Sequence, residues 1–163
     1  MGDETILSGR ILALDVGERR VGVAISDEAQ ILARSLTVIH RRSKVQDFEI
    51  LAQLVREHAV VAIVVGLPLD ADGTEGQQAR RCRRYAAALS EALIARQLST
   101  PLIFYDESLS TVDAAEIMIA SGRKRRDRRQ RIDAVAAAVI LQGYLDSLSA
   151  TRRQVHFNGQ RLG

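Results

Sequence analysis

Three acidic positions and one basic run stand out for the chemistry they could do together. Asp15 closes the apolar stretch "ILALDVG", Asp106 and Glu107 close "LIFYDES", and Asp133 opens "IDAVAAAVILQ". Directly before Asp133, seven of the nine residues from Arg123 to Arg131 are basic: Arg123, Lys124, Arg125, Arg126, Arg128, Arg129 and Arg131. Carboxylates drawn from separate elements form the oxygen-rich site that Mg2+ or Mn2+ prefers. Two such ions, about 3.5 to 4 Å apart, can activate water and stabilise the leaving oxygen in an in-line attack on a phosphodiester. A basic run entering the third acid's element would hold a polyanionic backbone beside them. Each signal has a plainer reading alone: Asp15 as a strand-end cap, Asp133 as an acid meeting a helix macrodipole, the basic run as a solvated loop. Their combination favours the site.

Charge distribution sharpens the point. The chain's formal charge is +3, yet the run from Arg123 to Arg131, with Asp127 inside it, carries +6, leaving the remainder at −3. So dense a run repels itself and is costly to keep without an anion nearby.

The elements that must position these residues follow from the hydrophobic pattern. Apolar runs at 11–16, 21–26 and about 31–39 are separated by "GERR" and "DEAQ". Connections this short join antiparallel neighbours, which predicts a three-stranded meander. "KVQDFEILAQLVREH" repeats at helical spacing, and "VVAIVVG" at 60–66 is the continuous β-branched run of a strand covered on both faces. Thr74 and Gln77 stand in capping-box register before a long alanine-rich helix, and Pro101 opens a fifth strand. Two further helices are expected, over about 111–121 and about 131–148, joined across the basic run. The order β-β-β-α-β-α-β-α-α predicts an α/β fold, a mixed five-stranded sheet flanked by helices. One domain is expected over 1–150, with 151–163 as a flexible tail.

Alternation places the acids. On the first strand Leu12, Leu14 and Val16 share one face and Ile11, Ala13 and Asp15 the other, so a carboxylate interrupts an otherwise apolar surface. Asp106 and Glu107 point to opposite faces, and spacing alone leaves open which one joins Asp15. Asp133 precedes Ala136, Ala137 and Ile140 by three, four and seven residues, which sets it beside its helix's apolar stripe.

Other residues narrow the function class. The single Cys82 forms no intramolecular disulfide and reads as a packing or surface thiol, compatible with a reducing cytoplasm. His40, His58 and His156 are scattered, giving no convergent zinc set. The three tyrosines do not interleave with the basic run, which favours backbone and shape recognition over base stacking. No leader or membrane span is expected.

Four ordered blocks, "ALDVGERRVGVAISD", "VVGLPLDADGTEG", "YDESLSTVDA" and "IDAVAAAVILQGYLD", resemble the YqgF/RuvX family of Holliday junction resolvase-like proteins in the ribonuclease H superfamily. The agreement runs from about residue 10 to 146. The resemblance implies a ribonuclease H-like fold and a divalent-metal nuclease that processes precursor 16S ribosomal RNA ends, cleaves branched DNA, or does both. It places the family's acids on Asp15, Glu107 and Asp133. It also places a groove-flanking loop on Gly66, Leu67, Pro68, Asp72, Gly73, Thr74, Glu75 and Gly76, with Gly17 beside Asp15. This chain departs at Ser108, where the family commonly has Arg, and the dense arginine run is a candidate for compensating the lost guanidinium. A cytoplasmic protein is expected, and a homodimer is compatible with cutting junctions symmetrically. Two rivals are an actin-like ATPase, for which the chain is too short to supply a second lobe, and a catalytically silent nucleic-acid-binding module, which the acid triad disfavours.

Overall fold

The computed structural model describes residues 8–107 and 125–159; on the last helix, side chains are described for Ile132 and for 134–154. Five strands, β1 (Arg10–Val16), β2 (Arg20–Ser26), β3 (Ala33–His40), β4 (Val60–Leu67) and β5 (Leu102–Asp106), form one sheet in the order β3-β2-β1-β4-β5. The expected meander is present: β1 pairs antiparallel with β2, and β2 with β3. β4 joins β1 and β5 joins β4 in parallel, so the sheet is mixed. The turn from β1 to β2 closes through Gly17, whose N–H donates to the Arg20 carbonyl at 2.9 Å. β3 begins at Ala33, two residues later than its apolar run suggests. Asp27 Oδ1 accepts from the N–H groups of Ile31 (2.7 Å) and Leu32 (3.2 Å), holding both in the preceding turn.

Helix α1 (Lys44–Glu57) starts at Ser43, whose hydroxyl accepts from the Gln46 N–H at 3.2 Å. Helix α2 (Gln77–Ala95) has Gly76 at its N-cap and no side-chain cap, so the capping box expected of Thr74 and Gln77 does not form. Thr74 is engaged locally instead: its N–H and hydroxyl both donate to Asp72 Oδ1, at 3.0 and 2.6 Å. A carboxylate two residues upstream competes successfully for it.

Helix α3 (Arg125–Gly159) is longer at both ends than the 131–148 expected. Its start takes in most of the basic run, because Arg and Gln are good helix formers and the stretch contains neither Gly nor Pro. The segment from 151, expected as a tail, continues the helix through Gly159; Arg152 donates to Gln30 Oε1 at 2.9 Å, and Thr151 bonds back to the Ser147 carbonyl. The helix expected over 111–121 lies outside the described residues, as do Arg123 and Lys124.

Helices cover both faces of the sheet. Leu12, Leu14 and Val16 of β1 pack with Ile63 and Val65 of β4 and with α1 and α2 through Phe48, Leu51, Val55, Leu89 and Leu93. Ile11 and Ala13 pack on the other side with Ala62 and Val64 and with Ala137, Ile140, Leu141 and Leu145 of α3. β1 is therefore buried on both faces, as its uninterrupted apolar pattern predicts. Within α3, Ala134–Gln154 is long and apolar enough by composition to cross a membrane. Here one side of it, Ala137, Ile140, Leu141 and Leu145, is buried against the sheet. Gln142 ties α3 to the strap before β3, accepting from the Ala33 N–H and donating to the Ile31 carbonyl, both at 2.9 Å.

Candidate active site

The sheet places the acids by strict alternation. Ile11 and Ala13 face α3, so Asp15 continues that face to the carboxyl end of β1, opposite Gly22 in the β2 register. On β5, Ile103 and Tyr105 pack on the α3 side while Leu102 and Phe104 pack on the α1–α2 side. Glu107, the next odd position, therefore falls on the same face as Asp15. That choice, open from spacing alone, agrees with the family resemblance.

β4 lies between β1 and β5, and a side chain on its α3 face would keep the two acids apart. Gly66 occupies that position. A Cβ there would lie 2.5 Å from Glu107 Oε1, 3.1 Å from Glu107 Cγ and 2.7 Å from Ile140 Cδ1 of α3. The missing side chain is the space into which the Glu107 carboxyl leans.

Electrostatics report the encounter. Burial, then the negative charges of Asp15 and Asp106, then a hydrogen bond shared with Asp15, push the Glu107 carboxyl from 4.5 up to about 7. Two carboxyls this close do not both ionise readily, so the bare pair holds a proton near neutrality. Cys82 lies buried behind the site, its Sγ 3.9 Å from the Val16 carbonyl. Burial and then the charges of Glu107 and Asp15 push its thiol up to about 11, so it is a neutral packing group.

Asp133 lies on α3, four and seven residues before Ala137 and Ile140, which are buried against the sheet. Its side chain is outside the described residues. Among the described residues, no group of three His, Cys, Asp or Glu side chains converges, which leaves the pair Asp15 and Glu107 as the observed part of the expected triad. Arg125, Arg126, Arg128, Arg129 and Arg131 occupy the first turns of α3 rather than a loop, and their side chains too lie outside the description. His40 ends β3 and His58 caps α1, on separate elements.

The groove-loop residues divide. Gly66 is part of the acid site. Gly17 shapes the turn after Asp15, where a Cβ would meet the Arg20 carbonyl at 2.7 Å. Pro68 follows β4 directly. Gly73, at φ +80°, and Thr74 are engaged within their own loop, where Asp70 N–H donates to the Thr74 carbonyl at 2.9 Å. At the foot of that loop Glu75 makes a two-pronged ion pair with Arg83.

Sequence reasoning missed the residues that brace the turn behind Asp15. Arg41 Nη1 donates to the Gly17 carbonyl at 2.8 Å, and the Arg41 N–H donates to the Arg19 carbonyl at the same distance. Gln78 Nε2 donates to the Val16 carbonyl at 3.1 Å, and Arg81 pairs with Glu18. No periodicity marks these residues, because the contacts cross between 22 and 63 positions along the chain.

With this geometry in place, comparisons with known proteins give a consistent answer. Residues 9–147 match the RuvX family, described as Holliday junction resolvase. A protein of Syntrophus aciditrophicus named "Putative pre-16S rRNA nuclease" is 46% identical over 140 residues, covering 86% of this chain and 90% of its own. Its namesake in Bacillus cytotoxicus is 45% identical over 140 residues, covering 85% and 98%. Among solved structures, Thermus thermophilus RuvC in complex with a Holliday junction substrate aligns with TM-score 0.55 at 13% identity, covering 85% of this chain and 96% of that one. The yeast mitochondrial Holliday junction resolvase aligns with TM-score 0.57 at 11% identity, covering 94% and 84%. The fold is ribonuclease H-like, as the sequence blocks imply.

Proposed function

Because this chain belongs to the RuvX family, we propose that it is a divalent-metal-dependent nuclease that hydrolyses phosphodiester bonds of structured nucleic acid. Its substrate is a precursor of 16S ribosomal RNA, in line with the names of its relatives, branched DNA, in line with the Holliday junction bound by its fold neighbour, or both. One observation carries the reading. Asp15 and Glu107, from strands separated by β4, share a hydrogen bond in the space left by Gly66.

That pair fits a divalent cation. Two crowded carboxyls share a hydrogen bond on a largely apolar face, and hard oxygen donors of this kind suit Mg2+ or Mn2+. Asp15 and Glu107 would hold the metal, with Asp133 as the third ligand. When bound, two ions would supply the Lewis acidity that activates water and stabilises the leaving oxygen. The protein's own residues do the remaining work. Gly66 and Ile140 set how closely Glu107 approaches Asp15, while Arg41, Gln78 and the Glu18–Arg81 pair hold the turn that fixes the Asp15 backbone. The basic residues at the start of α3 grip the phosphate backbone ahead of Asp133.

Action in the cytoplasm, and a homodimer where a junction is cut symmetrically, belong to the same reading. Cleavage of end-labelled precursor RNA and of a four-way DNA junction, each with Mg2+, Mn2+ or a chelator, tests it. Metal-dependent product from at least one substrate is expected. Tight binding of both with no product under any metal would instead favour a silent binding module.

A further inference from the structure

A second feature lies across the sheet from the acid pair. Between the start of α1 and the first turns of α2 is a pocket of about 170 Å³ lined by Arg41, Lys44, Arg81, Arg84 and Tyr85. Four of the five lining residues are cationic. Arg81 has Glu18 as its partner, but among the described residues no carboxylate pairs with Lys44 or Arg84. The fifth, Tyr85, is 3% exposed, and its hydroxyl is buried without a hydrogen-bond partner. The hydroxyl is closed off from solvent, so Tyr85 contributes a wall of the pocket and the cations its polar groups. The ring is fixed edge-on to Phe48 with centroids 5.2 Å apart, and the Arg41 guanidinium lies 5.1 Å from its centroid.

We propose that this pocket holds a phosphate group, with Lys44, Arg84, Arg81 and Arg41 supplying charge and directed N–H donors. The proposal rests on the nuclease reading for its source: the phosphate belongs to the nucleic-acid backbone, held on the α1–α2 side while the acids act on the α3 side. The β1–β2 turn connects the two, since Arg41 and Arg81 bind Gly17 and Glu18, immediately beyond Asp15 and Val16. Occupancy of the pocket would thereby steady the strand end that carries Asp15. A free phosphate or mononucleotide offers the same chemistry, and the experiment separates the two sources.

The test compares the full chain with the double variant Lys44→Gln, Arg84→Gln, with a charge control Arg34→Gln, Arg56→Gln outside the pocket, and with Tyr85→Phe. Binding of a single-stranded RNA is followed by fluorescence anisotropy in chelator, so that no cleavage is required. The double variant is expected to bind about tenfold more weakly, with a salt dependence flatter by about 1.5 in log–log slope. Tyr85→Phe, which removes a buried hydroxyl that has no partner to lose, and the charge control should each change binding less than about twofold. In parallel, inorganic phosphate is titrated while the melting temperature is followed. Loss of the phosphate-induced rise in the double variant, with RNA affinity intact, supports the pocket and assigns it to free phosphate. If the wild type binds no nucleic acid, the nuclease reading fails and the phosphate titration alone decides the pocket. The proposal is overturned if wild type and double variant match in RNA affinity, salt slope and phosphate response, or if the charge control loses as much as the double variant.

Discussion

The carboxyls of Asp15 and Glu107 share a hydrogen bond across β4 because residue 66 has no side chain to keep them apart. Three strands contribute to this one contact: β1 and β5 carry the acids, and the strand between them contributes an absence. Gly66 is thus as much a part of the site as either acid.

Replacing it gives the first prediction. In Gly66→Ala the added Cβ meets both the Glu107 carboxyl and Ile140, so the acid swings away or α3 shifts outward. Overpacking of this kind costs about 1–3 kcal/mol. Cleavage should fall at least tenfold under single-turnover conditions, with stability in urea lowered by that amount. A variant that cuts at the wild-type rate would remove Gly66 from the site.

The raised Glu107 value carries a definite pH signature. A carboxyl whose folded-state pKa lies above its unfolded one binds more protons folded than unfolded between the two values. Its contribution to stability is therefore full below about 4.5 and is lost as pH rises through about 7. Because Glu107 is only half-buried, the loss is expected to be on the order of 1 kcal/mol. Urea denaturation of the metal-free protein from pH 4.5 to 8, taken as the difference between wild type and Glu107→Gln, measures it. Mn2+ should reverse the trend, since a cation competes with the shared proton. A difference that is flat with pH, or that rises with it, contradicts the pairing.

Neutralising Arg125, Arg126, Arg128 and Arg129 to Gln tests the role of the basic run. If all four meet phosphates, the log–log salt slope of RNA binding flattens by about 3, and affinity at low salt drops by orders of magnitude. Helix content should be retained, since Gln is also a good helix former. An unchanged slope would reduce the run to a solvated helix end. It would also end the suggestion that it compensates Ser108.

Much of this architecture was legible in the sequence because it depends on local pattern. Period-two alternation and short separators gave the meander, and the two-sided apolar run of β1 made Asp15 conspicuous. Asp106 against Glu107 was resolved by the resemblance and then by Ile103 and Tyr105, whose packing defines the α3 face. What local pattern could not supply was long-range. Arg41, Gln78 and Arg81 reach the β1–β2 turn from other elements, and nothing in their neighbourhood signals it. Gly66 belongs to a loop motif in the sequence, yet its use as space for a carboxyl needs the register of three strands. The start of α3 differs from the expected boundary because a charged run need not be a loop: arginines that repel one another still propagate a helix. The capping box failed because Asp72 competes for Thr74 at shorter range.

Asp15 is the residue on which metal binding and cleavage should most directly depend. Asp15→Asn keeps the shape and a hydrogen bond to Glu107 but removes the charge that a divalent ion requires. The decisive measurement follows wild type and variant together, reading Mn2+ binding by calorimetry and cleavage of labelled precursor RNA and four-way junction under single-turnover conditions. Mn2+ affinity should fall at least tenfold and cleavage at least about 1,000-fold, while nucleic-acid affinity in chelator holds or rises because a negative charge beside phosphate has gone. Undiminished cutting by cleanly purified Asp15→Asn would contradict the assignment.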